Sequence, residues 1–439
     1  MNINNRVIKN ASWIVGCKII QSILTLLIGL FTARYLGPSN YGLISYAASI
    51  VAFFSPIMQL GFSATLVQEL INKPEKEGSI LGTALALNIM SAFACVLGIG
   101  AFCTVANPSD TETTVVCLLY SMTLVFQASE MTQYWFQAKL LSKYPSIVAL
   151  IAYAIVSAYK VFLLITEKSI RWFAVTHVIE AAIVAALLMV MYIRLGGNKT
   201  IFSWALGKSM LSRSKYYIGA AMMVAVFQQT DRIMIKLMMS EAETGYYSAA
   251  LSCVGITGFV FSAIIDSARP SILESYKVSQ EAFHSKLTLL YSIITVVSLA
   301  QSVCMSLLAR ILIRLLYGAA YLPAVPILQT AVWFVMFSYY GSVRNIWILA
   351  EGKQKYLWYI NLSGASMNVL LNFLLIPYWG GCGAAVATLI TQFFTNVILG
   401  YIIRPIAENN KLILRSFNPT LLINQAKDML RSLEECHKH

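Results

Sequence analysis

The chain is poor in the residues that water-facing surfaces are built from. Asp, Glu, Lys and Arg make up only 12% of its 439 residues, about half the share of a soluble domain. Four histidines (177, 284, 437 and 439) are present, and they form no constellation. A Gly-rich phosphate loop, a metal-ligand cluster and a nucleophile motif are all missing, as is any soluble stretch able to carry them. This excludes the enzymes those motifs serve, so neither a catalytic residue nor a metal site is expected. The eight cysteines (17, 95, 103, 117, 253, 304, 382 and 436) lie mostly within apolar segments without metal spacing. Seven of them read as small core residues. Cys103 and Cys117 could flank one external turn, where a disulfide is possible.

What the chain does have is long apolar stretches: 58% of it is hydrophobic and its mean hydropathy is +0.69. At about 20 residues per span, that length holds about a dozen membrane helices with short loops. Open sheets leave backbone unpaired in lipid, so the expected fold is all-α and polytopic. The spans fall near 11–34, 41–63, 78–105, 113–135, 145–166, 171–193, 215–239, 245–268, 286–309, 322–348, 356–378 and 380–403. Arg6 and Lys9 precede the first run, which is too long for a signal-peptide core and reads as a retained helix that starts in the cytoplasm. All external loops are expected to be shorter than about fifteen residues, which argues against a membrane-embedded polymerase or ligase.

The net charge of +13 does not point to nucleic acid, because the basic residues sit in alternate loops. Of the 32 Lys and Arg, about 23 fall on the side of the N-terminus and about six on the other, with three inside spans. By the positive-inside rule both termini are cytoplasmic.

A shift of 203 residues aligns Gly16 with Gly219, Gly42 with Gly245, Ser45 with Ser248 and Ala47 with Ala250. A shift of six spans preserves orientation, so the halves read as parallel repeats. The expected parts are a lobe over 1–193, a cytoplasmic amphipathic linker over 194–214, a lobe over 215–403 and an amphipathic tail over 404–439. In the tail, Leu422, Ala426, Met429 and Leu433 recur at helical spacing.

A charge at the bilayer centre costs at least about 2.5–3.5 kcal/mol, so each one inside a span needs a reason. Lys18 either snorkels to the headgroups or faces a cavity, and Lys160 poses the same choice. Arg34 reads as interfacial. Asp231 and Arg232 diverge by about 100° on a helix; with Gln228 and Gln229 they read as a cavity or inter-lobe element, or as ion pairs to other helices. Gln127, Glu130, Tyr134 and Gln137 form one polar face. Glu180 is either a proton acceptor or a buried, hydrogen-bonded carboxylate. Asp266 and Arg269 read as a local i,i+3 pair. Asn361, Asn368 and Asn372, with Thr388, Thr391, Gln392 and Thr395, are interhelical glue or cavity lining.

Asn10-Ala-Ser-Trp13, then Ala33-Arg-Tyr-Leu-Gly-Pro-Ser-Asn-Tyr-Gly42, resembles the signature of polysaccharide transporters in the multidrug/oligosaccharidyl-lipid/polysaccharide (MOP) exporter superfamily. Glu243-Thr-Gly-Tyr-Tyr-Ser-Ala-Ala resembles the matching element of that family's second half. The likeness is greatest to Wzx-type flippases. It implies two six-helix lobes in a V around a central cavity that opens alternately to either side of the bacterial inner membrane. The implied substrate is an undecaprenyl-pyrophosphate-linked oligosaccharide, an O-antigen or capsule repeat unit. Membrane lipids and polysaccharide polymerase or chain-length machinery are candidate partners. Lys18, Arg34, Lys160 and Arg232 are the candidate pyrophosphate-binding cations. Glu130, Glu180 and Asp231 are the candidate coupling groups, with either a proton gradient or the membrane potential as the drive and no cofactor. The alternatives are a MATE-like drug or cation antiporter and a lipid II-type flippase of the same superfamily.

Overall fold

A computed structural model describes residues 3–417, and every regular element among them is helical. The apolar stripe expected at Leu422–Leu433 lies outside the described residues. In chain order the helices are α1 (Ile3–Met58), α2 (Leu66–Asn72), α3 (Glu77–Ala106), α4 (Thr111–Ser121), α5 (Thr123–Ser129), α6 (Thr132–Ala138), α7 (Lys143–Ile165), α8 (Ile170–Arg194) and α9 (Trp204–Met238). There follow α10 (Glu241–Gly255), α11 (Gly258–Val278), α12 (Gln280–Leu316), α13 (Ala324–Ala331), α14 (Phe334–Ala350), α15 (Lys355–Phe393), α16 (Leu399–Ile402) and α17 (Ala407–Arg415). The chain is a multi-pass membrane protein. Seven of its described helical segments are long and apolar enough to cross a bilayer, and eight if α10 and α11, bent by 41°, count as one span.

Two of these segments each contain two of the expected spans. A straight helix of 56 residues would run about 84 Å, nearly three bilayer cores. Helix α1 instead breaks at Gly37 (φ 71°), just before Pro38. Helix α15 breaks at Gly380 (φ 53°), three residues after Pro377. Both backbones need the left-handed region that glycine enters freely. The 203-residue register pairs Gly37 with Ser240, which stands between α9 and α10. Both repeats therefore break at the same place.

The chain forms two compact units that meet between Gly245 and Tyr246. This boundary lies beyond the expected linker at 194–214, because α9 packs along α1 and against α3. Only 195–203 is non-helical there, and it is docked. Ile201 N–H donates to the Gly78 carbonyl at 3.2 Å, and Ser203 N–H donates to Thr83 Oγ1 at 3.0 Å. A methyl group on Gly82 would meet Ile201 N at 2.6 Å, so glycine is what lets this segment lie on α3. Phe202 and Trp204 remain exposed.

In the first unit, one apolar cluster gathers Tyr46, Ile50, Val51, Ile99 and Val116. A second gathers Phe62, Leu81, Trp135, Phe136 and Tyr192.

In the second unit, α12 packs on α11, α13 and α14, and α15 packs on α13 and α14. Its polar residues act as glue. Asn372 donates to Asn368 at 3.1 Å, Asn368 to Thr388 at 3.4 Å, and both asparagines are fully buried. Arg344, which falls within the expected span 322–348, is buried in α14. Its guanidinium donates to the Thr395 carbonyl at 2.7 Å, inside a π-helical turn over Phe394–Ile398. Asn410 donates to Val397 in the same turn. A π turn shifts carbonyls out of the α ladder, and these two side chains satisfy them. Asp266 and Arg269 form the local pair expected of them, 3.6 Å apart.

Candidate functional site

A cavity of about 490 Å³ lies within the first unit. Small residues on α1 (Ala48, Ala52, Ser55) and α9 (Ala221, Ala225) leave the space. Polar groups enter it from three sides: Tyr120, Gln127 and Glu130 from α4 and α5, His177 and Glu180 from α8, and Gln228 and Gln229 from α9. Glu130 caps α5 where the helix breaks before α6. The His177 and Tyr120 rings lie 4.8 Å apart. Lys160, on α7, interacts electrostatically with Glu180; it is only 8% exposed and sits 6.0 Å from the centre of the Tyr153 ring. Glu130 and Glu180 are the acidic groups among the described lining residues, and no Lys or Arg among them lines the cavity. That suits a small cation or a proton better than an anion, and the volume is that of a small-molecule pocket.

The structure thus brings Glu130 and Glu180 together, with Lys160 beside them. Gln127 shares the cavity with Glu130, but Gln137 falls on an exposed surface, because the break after Glu130 ends the stripe. Asp231 is buried and Arg232 half-buried on α9; neither lines this cavity, although their neighbours Gln228 and Gln229 do. Lys18 and Arg34 are exposed on α1 and also lie outside it. Cys103 and Cys117 are buried free thiols, not a disulfide.

Helix α9 walls the cavity and is clamped at each end. At one end, Arg213 pairs with Glu69, which also holds Lys73 at 2.9 Å. Burial raises the Glu69 pKa, but the two cations outweigh it and hold the group below the usual carboxylate range. At the other end, Lys236 Nζ donates to Asn107 Oδ1 at 2.8 Å and Asp110 Oδ2 at 3.1 Å. It lies 3.6 Å from Glu241 Oε1 and 5.6 Å from the centre of the Tyr46 ring. Asp110 caps α4 by accepting from Thr113 N–H at 3.0 Å. Burial pushes the Asp110 carboxyl up, and its bonds from Thr113 and Lys236 pull it further down, to about 2. Sequence reasoning missed this cluster and assigned Lys236 no role. The one local signal was Asp110 standing before Thr111 as a helix cap.

Two kinds of similarity bear on identity. A family model described as polysaccharide biosynthesis protein matches residues 7–275. An uncharacterised membrane protein of Methanocaldococcus jannaschii is 26% identical over 219 residues, 49% of this chain and 43% of that protein. The match therefore spans less than half the length of that curated relative. Among solved structures, the lipid II flippase MurJ in an inward closed conformation aligns with a TM-score of 0.74 at 16% identity, covering 94% of this chain and 92% of its own. An inward-facing multidrug resistance MATE family transporter of the MOP superfamily aligns at 0.69 and 11% identity, over 89% and 96%. A eukaryotic MATE transporter aligns at 0.59 and 13%, over 94% and 99%. At such identities the likeness is one of fold, and the fold is that of MOP-superfamily transporters and flippases. With the family model covering more than half its length, the chain belongs to the polysaccharide biosynthesis protein family.

Proposed function

We propose that this chain is a flippase that carries undecaprenyl-pyrophosphate-linked oligosaccharide units, of O-antigen or capsule type, from the inner to the outer leaflet of the bacterial inner membrane. The observation that carries the reading is the polysaccharide-family match over residues 7–275; the fold shared with a lipid II flippase supports it. Both termini are cytoplasmic in this reading, and a polysaccharide polymerase or chain-length machinery receives the product.

The cavity under α9 is too small for the lipid-linked unit and has the wrong charge for its pyrophosphate. In this reading Glu130 and Glu180 hold the coupling proton, with Asp231 as a further candidate on α9. Lys160 serves as the counter-ion of Glu180, which takes it off the list of pyrophosphate ligands. The substrate's phosphates fall to Lys18, Arg34 and Arg232. Membrane potential is the competing drive: two negative charges moving outward through 100 mV gain roughly 4–5 kcal/mol.

The test is flipping in proteoliposomes loaded with a fluorescent polyprenyl-pyrophosphate oligosaccharide. Translocation that needs this protein supports the reading, and its absence under either a pH gradient or a potential sinks it. A second reading, a MATE-like cation antiporter, draws on the acidic cavity itself. It requires gradient-driven efflux of a cationic dye with no movement of the lipid-linked sugar.

A further inference from the structure

The two clamps on α9 are unequal. Arg213, at one end, is 60% exposed, and an exposed pair is weak and screened by salt. Lys236, at the other end, is 10% exposed and holds three acceptors from two places in the chain. Those acceptors are themselves fixed. Asn107 donates to Tyr46 Oη at 3.3 Å, and Thr113 donates to Asp110 and approaches Glu241 at 3.3 Å. The network joins α1, the α3–α4 turn, α9 and α10. Between the two clamps, α9 presents Ala221, Ala225, Gln228 and Gln229 to Glu130 and Glu180.

At its Arg213 end α9 is held by that one ion pair and by neutral contacts, Ser203 N–H to Thr83 Oγ1 at 3.0 Å and Thr65 Oγ1 with Ser214 Oγ at 3.2 Å. Moving it at its Lys236 end separates a largely shielded ammonium from Asn107 and from two carboxylates that are about one-third exposed, so several charged contacts are lost together. We infer that Lys236 is a positioning residue that locks the cavity wall α9, so that Glu130 and Glu180 open towards the Lys236 end only when the lysine leaves Asn107, Asp110 and Glu241. The inference rests on the alternating-access reading above, though not on the identity of the substrate. The charge distribution makes the Lys236 end the outer one. The lock then sets how often the carboxylates meet the outer solution, and so how much of the coupling ion leaks without cargo.

The experiment reads accessibility. In full-length protein with Cys304→Ser, Cys382→Ser and Cys436→Ser, a Gln228→Cys reporter is labelled with an impermeant maleimide from either face of the membrane. A separate Lys199→Cys reporter, exposed near the Arg213 end, identifies that face. Lys236→Gln is expected to raise labelling from the opposite face at least fivefold. Lys236→Arg is expected to restore the low rate, and Glu69→Gln to leave it unchanged. Unchanged labelling in folded Lys236→Gln protein would overturn the inference. If that variant does not fold, Asp110→Asn takes its place; should neither give monodisperse protein, the contact is needed for folding and the lock is refuted. Labelling that shifts in a protein unable to flip lipid-linked sugar defeats the proposed function and leaves the lock standing.

Discussion

Gly42 and Gly245 press on each other's helices in a reciprocal contact. A methyl group on Gly42 would overlap the carbonyl oxygen of Glu241, and one on Gly245 would overlap that of Pro38. The 203-residue register pairs Pro38 with Glu241 just as it pairs Gly42 with Gly245. Equivalent residues of the two repeats thus meet each other, as at an isologous interface. Alanine at either position is expected to cost about 1–3 kcal/mol through overpacking. Because the two share one contact, the double variant should cost less than the sum. Thermal unfolding in detergent measures this, with Gly29→Ala, which has nothing within 4 Å, as the silent control.

Neutral variants of the cavity carboxylates test coupling. Glu130→Gln and Glu180→Gln should each lower the pH-gradient-driven part of flipping at least tenfold, while potential-driven flipping changes little. Reconstituted transport with each drive applied separately checks this. Equal gradient dependence in the wild type and both variants would rule these groups out.

Lys160 and Glu180 should be coupled energetically. Lys160→Met leaves the carboxylate without its counter-ion, and Glu180→Gln in the same chain removes the need for one. A double-mutant cycle on unfolding should give a coupling of about 0.5–3 kcal/mol. Strict additivity would show that the two do not act on each other.

Acid should loosen the Lys236 cluster within a defined window. Asp110 falls from an ordinary pKa of 3.8 to about 2 on folding, so its contribution is complete above about pH 4 and is lost as the pH drops towards 2. Asp110→Asn should be less stable than wild type at pH 7, and the difference should shrink across that window. Unfolding midpoints measured from pH 7 to pH 2 will show it; a gap that persists unchanged at pH 2 counts against the assignment.

The fold was largely legible in the sequence because its signals are local. Apolar runs set by bilayer thickness locate the helices, and Gly37-Pro38 marks a break that no composition average would miss. Half of the cavity was legible for the same reason, since helical spacing puts Gln127 and Glu130 on one face. Gln137 was misjudged because the helix break after Glu130 interrupts that spacing. Lys236 was invisible because its partner Asn107 lies 129 residues away, and nothing in either segment announces the other. Lys160 and Lys18 looked alike as lone lysines in apolar runs; only the packing of α7 on α8 sets Lys160 beside Glu180.

The place of α9 in the first unit has a consequence for biogenesis. Helix α1 is complete at Met58, and its partner α9 begins at Trp204. At about 5–20 residues per second, the ribosome needs roughly 10–40 s to deliver that partner in full. Throughout that interval the small-residue face of α1, with Ala48, Ala52 and Ser55, is held by lipid or by the insertion machinery. A nascent chain halted before Trp204 therefore carries an unfinished first unit.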